Sequence, residues 1–224
     1  GFMFNLPSPL DFFSAQTWVI INVVVIVLLM TTAITSRARQ AARQPLRQNL
    51  WLALTFILTL LWLTRAHVLD LLYLHLIGAS LAYLLLGARL ALLALALVLL
   101  VTNVTLDNSL YQFGLQYLLV GLLPIINAQI LHIIARRIFP RRLFTFIFIQ
   151  GFFVATLGMI ITATLNLFVL QQLHIITLNL GNEVFWISPV LLGWGEGLLS
   201  GMAVALIAAY KPHWWFEDPQ LTNF

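Results

Sequence analysis

From Thr17 to Tyr210 the chain is a succession of apolar runs, four of them of 20 residues or more and three shorter, separated by short connectors that gather nearly all of its charge. A helix needs about 20 residues at ~1.5 Å rise to span ~30 Å of hydrocarbon. Inside lipid, every backbone N–H and C=O must also be satisfied within the segment. Continuous apolar runs meet both conditions as helices, so helices are predicted at 17–36, 50–64, 72–87, 90–106, 112–135, 143–170 and 184–210. The expected fold is all-α, a single polytopic transmembrane domain over 1–224 with about seven spans. Composition agrees: 8% of residues are charged, against about a quarter in soluble domains.

Seven spans set alternate connectors on alternate faces. Arg37, Arg39, Arg43 and Arg47, then Arg89, then Arg136, Arg137, Arg141 and Arg142, and finally Lys211 all fall on one face, leaving Arg65 alone on the other. The positive-inside rule makes the basic face cytoplasmic. The N-terminus is then outside and the C-terminus inside, with Trp214 and Trp215 as an interface anchor and 217–224 in the cytoplasm. Basicity confined to connectors reads as topology and not as nucleic-acid binding. No basic n-region precedes the first run, so a cleaved signal peptide is not expected. Without cysteine there is no disulfide or thiolate site, and any metal must be held by nitrogen and oxygen donors. Neither a phosphate-binding Gly-rich loop closing on Lys-Ser/Thr, nor a His-Glu-x-x-His or serine-nucleophile motif, occurs in the sequence. The protein is therefore expected to be no enzyme and to hydrolyse no nucleotide itself.

Candidate functional residues are the polar groups inside these runs, because a polar group at membrane depth costs free energy unless something satisfies or uses it. His75 opens the run 72–87, followed by the small residues Gly78, Ala79, Ser80 and Ala82. It reads either as a histidine bonded between packed helices or as a ligand, metal included. His67 and Asp70 share a face if helical and suit a cation or an ion pair with Arg65, or else a solvated loop. Along a straight helix His67 and His75 lie roughly 12 Å apart, too far for one ion without a break in the chain. Glu196 lies among Gly193, Gly197 and Gly201, a spacing that brings transmembrane backbones together. It should be paired, protonated or facing a cavity, with His75 and Arg65 as candidate partners. The glycine face is expected to pack against Gly78 and Ala82. Gln116, Asn127, Gln129, Thr162, Thr164 and Asn166 either line a polar interior or bond between helices. His132, His174 and His213 read as surface residues.

The stretches His75-Leu-Ile-Gly78-Ala-Ser-Leu and Leu86-Gly87-Ala-Arg89-Leu-Ala-Leu-Leu resemble the energy-coupling-factor permease family of cobalt and nickel uptake, the CbiM/NikM type. The likeness continues in Phe113-Gly114-Leu115-Gln116, Gly121-Leu-Leu-Pro124, Glu196-Gly-Leu-Leu-Ser-Gly201 and Tyr210-Lys-Pro-His-Trp, and so covers 65–215 in short motifs. The resemblance implies a substrate-binding subunit of a bacterial inner membrane that captures a divalent cation, cobalt or nickel, as substrate. It implies partners as well, a coupling subunit and ATPases, with His75 at the family's ligand histidine. The other half of that family site is an N-terminal Met-His. The sequence here begins Gly1-Phe2-Met3-Phe4-Asn5 and has no histidine before His67. The alternative expectation is an accessory subunit of a larger membrane complex, built on a permease scaffold that has lost those ligands.

Overall fold

The computed structural model describes residues 14–35, 43–63, 66–69, 72–74, 76–106, 110–140, 142–172 and 183–215. Helix α1 (Ala15–Ile34) is followed by α2 (Pro45–Leu63), an antiparallel hairpin of β1 (Ala66–Leu69) and β2 (Leu72–Leu74), and α3 (Ala79–Thr105). Then come α4 (Leu110–Ile138), α5 (Leu143–Gln172) and α6 (Glu183–Tyr210). Among the described residues six helices are long and apolar enough to cross a membrane. This is a multi-pass, predominantly helical membrane protein.

Local chemistry sets several boundaries. Ser14 caps α1 through a bond from the Thr17 N–H to its hydroxyl (3.3 Å). Pro45 opens α2, where its missing N–H is no loss. Pro124 has no N–H to offer the preceding turn, and α4 widens into a π turn at Leu118–Leu122 just before it.

Hydrogen bonds along α2 trace the path of α3. Arg47, in the first turn of α2, donates to Leu85 O (2.6 Å), and Trp62, in the last, donates to Ile77 O (3.4 Å). Those donors stand about 22 Å apart on their helix, so 77–85 runs antiparallel to α2. Yet Trp51, one turn beyond Arg47, donates to Leu90 O (3.0 Å). The chain has therefore turned back, and it turns at Gly87, whose φ of 74° and ψ of 165° are non-helical. The returning arm ends with Asn103 donating to Gln116 of α4 (2.6 Å). Nearby, Asn22 of α1 accepts from Gly114 N (2.7 Å) and donates to Tyr111 O (2.8 Å).

Two expectations about this region are corrected. Residues 72–74 are a strand, because the chain reverses in the hairpin before the helix starts at Ala79. The expected spans 72–87 and 90–106 become two arms of one broken element, the first only 79–86, about 12 Å long. Helix α3 forms the centre of the molecule, with Ala82, Leu86, Ala91, Ala94, Leu95 and Val98 fully buried. Helix α1 is peripheral and buries only Trp18 and Val25.

The glycine face of α6 is turned differently from the expectation. A methyl at Gly193 would strike Ile160 and Thr156 O, one at Gly197 would strike Thr156, and one at Gly201 would press on Phe152. These glycines admit α5, not α3. Gly78 makes its close approach to Leu58 of α2. The small-residue pattern predicted close helix packing but could not say which neighbour fills it.

Candidate functional site

Among the described residues the charged side chains that are buried are Arg47 and Glu196, and each is bonded to one end of the 79–86 arm. Glu196, 3% exposed, accepts a bond from Ile77 N at Oε2 (3.0 Å). The amides of Gly78 and Ala79 lie beside the same carboxylate. These are unpaired N–H groups at a helix start, where negative charge is favoured. At the other end, Arg47 donates to Leu85 O and also to Trp214 O (2.8 Å) and Trp215 O (2.8 Å). A guanidinium is favoured there by the carbonyl end of the arm. The arm's dipole thus accounts for both buried charges without an ion pair between them.

Beside Glu196, Ser80 Oγ and His132 Nε2 are hydrogen-bonded at 2.9 Å, and Tyr83 stacks on the imidazole with ring centroids 5.2 Å apart. A small cavity bounded by Glu196, Ser80, Thr162, Ala155 and Met159 has room for about one water molecule. Asn127 Nδ2 donates to Thr162 Oγ1 (3.0 Å), and Asn166 Nδ2 donates to Leu119 O in the π turn of α4 (3.1 Å). Gln116, by contrast, is taken up by Asn103, so it acts as an interhelical bond.

His132 is a correction: it is fully buried, not on the surface. Ala128, His132 and Ala135 share the buried face of α4, and that small-polar-small spacing was the sequence signal for an inward histidine. Arg47 is a second. Placed among solvated connector cations, it lies inside α2, and Pro45 two residues earlier was the signal that a helix had begun. Trp215 is a third, since it is 6% exposed and packs edge-on to Phe146 at 5.0 Å. The chain there is held by Arg47 through Trp214 O and Trp215 O. His213 is exposed, as read.

His67 lies on strand β1, its Cα paired with that of Tyr73, so the helical spacing with Asp70 does not hold. Asp70, His75, Arg65 and His174 lie outside the described residues. Among the described residues no three His, Asp or Glu side chains converge on one point. What the structure brings together is Glu196, Ser80, His132 and Thr162, beside Ile77.

The sequence from residue 9 to residue 214 matches the family described as the cobalt uptake substrate-specific transmembrane region, CbiM. The chain belongs to that family. No curated protein and no solved structure matches it. In this CbiM-family protein the stretches that carry the likeness lie in and just before the broken element α3, on α4, on the Glu196 face of α6 and just after it. Membership makes it a membrane component of cobalt uptake, a transport class and not an enzymatic one.

Proposed function

We propose that this protein is the substrate-binding subunit for a divalent transition-metal cation, cobalt or nickel, and that it works with a separate coupling subunit and ATPases in a bacterial inner membrane. Membership of the cobalt-uptake family over residues 9–214 carries the reading. The geometry adds a physical role for Glu196, which anchors the backbone at Ile77, two residues past His75. A ligand works only where its chain is held, and groups that orient ligands matter nearly as much as the ligands. His75 is the proposed ligand and Glu196 the proposed positioning residue. The hairpin also supplies the reversal without which His67 and His75 are too far apart to share an ion.

The proposed topology puts the N-terminus outside and the C-terminus inside, with the two arms of α3 counted as two crossings, the first a short one. Arg47, Leu85, Trp214 and Trp215 meet at one end of the bundle, the end to which the basic connectors also run. Binding of radioactive cobalt by the purified protein tests the reading. His75→Ala should weaken binding at least tenfold, and Glu196→Gln by a smaller factor, both with the fold intact. Cobalt binding that ignores His75 would remove the proposed site. Co-purification with an ATPase pair is expected, whereas recovery with an unrelated membrane enzyme would favour an accessory role.

A further inference from the structure

We propose that the cavity between α3, α4, α5 and α6 is a binding site for one water molecule, held by Glu196 Oε1, Ser80 Oγ and Thr162 Oγ1. Glu196 lines the cavity, and its Oε1 is buried with no hydrogen-bond partner, while Oε2 is engaged by Ile77 N. A buried carboxylate oxygen left bare is costly. Ser80 and Thr162 line the same space. Thr162 Oγ1 already accepts from Asn127, so its own hydrogen is left to donate. Ser80 Oγ is bonded to His132 Nε2, and the Gln150 side chain stands beside the same imidazole. A hydroxyl has one donor and two acceptor sites, so with either tautomer Ser80 Oγ keeps a further bond to give or take. That bond is available to the cavity Ser80 lines.

The inventory is thus one hydroxyl donor, Thr162, one hydroxyl that gives or takes, Ser80, and one carboxylate acceptor around a space of about one water. A water accepts from Thr162, donates to Glu196 Oε1 and completes its bonds with Ser80 Oγ, three partners in all, which is typical of a buried water. A cation would face the Thr162 hydrogen and only one free carboxylate oxygen, so the inventory favours water. The bound water joins three helices beside Ile77 and keeps the Glu196 carboxylate turned toward the amides of 77–79. This inference does not depend on the identity of the transported ion.

The direct test is a structure of the full chain, without added cobalt, at a resolution that shows ordered water. One peak within hydrogen-bonding distance of all three oxygens is expected, and a dry cavity overturns the proposal. Thermal unfolding in detergent gives a second reading. Thr162→Val keeps the shape but removes one contact, and should lower the midpoint by about 2–4 °C. In a Glu196→Gln background the same change should cost measurably less or more than alone, because the two act through one shared molecule. Strict additivity overturns the bridge. The midpoint should be equal in sodium chloride and choline chloride, and a sodium-specific rise would replace the water with a cation.

Discussion

Arg47 and Glu196 show how a buried ionisable side chain can be held by backbone groups at the two ends of one short helical arm. Each bonds to backbone groups that a helix end leaves free, Glu196 through Oε2. Removing the guanidinium strands three carbonyls at once, Leu85 O, Trp214 O and Trp215 O. Arg47→Met should therefore cost about 2–4 kcal/mol, and the unfolding midpoint followed by tryptophan fluorescence should fall accordingly. Arg47→Lys should recover only part of it, since an ammonium lacks the planar fork that reaches both segments. A methionine variant as stable as the parent would show that those bonds contribute nothing. For Glu196, replacement by Gln keeps an acceptor for Ile77 N and should cost about 1 kcal/mol. Leu leaves that buried N–H bare and should cost roughly twice as much.

At the scale of elements, the broken helix α3 and the glycine face of α6 do the positioning. Gly87 holds φ 74° and ψ 165°, a combination that essentially only glycine adopts. Gly87→Ala should cost about 1–3 kcal/mol and loosen the corner that Arg47 clamps. The prediction is checked by the unfolding midpoint together with proteolysis near Arg89, where faster cleavage is expected. On α6, Gly197→Leu drives a side chain into Thr156 and Phe152 of α5. It should be more damaging than Glu196→Gln, because it separates two helices whereas the other retains their hydrogen bonding. A Gly197→Leu protein with parental stability in detergent would refute the tight α5–α6 contact.

At the scale of the whole molecule, the turn at Gly87 decides which connectors share a face. With the two arms of α3 folded back, the chain ends of α2, α5 and α6 near Arg47, Phe146 and Trp215 lie together. The ends near Asn22 and Tyr111 lie at the opposite side. Absence of cysteine makes labelling a clean check. Leu110→Cys should react with an impermeant maleimide from outside in intact cells, and Lys211→Cys only after permeabilisation. Reaction of both from one side would overturn the proposed orientation.

The apolar runs alone determined that this chain is helical and membrane-spanning, because hydrocarbon leaves a backbone of that composition few other ways to satisfy its polar groups. The short motifs around His75, Gly87 and Glu196 were also enough to point to the cobalt-uptake family. Tertiary structure decided what no local pattern encodes, namely which partner each buried group meets. His132 and Arg47 read as surface or solvated residues because their sequence neighbours are a basic cluster and a connector. Both are buried by contacts from segments 38 to 168 residues away. The glycines of α6 announced close packing, but a spacing of four marks a face and not the helix that fills it. The reversal at Gly87 was legible only as a glycine, and it took the bonds from Arg47 and Trp51 to turn that glycine into a corner.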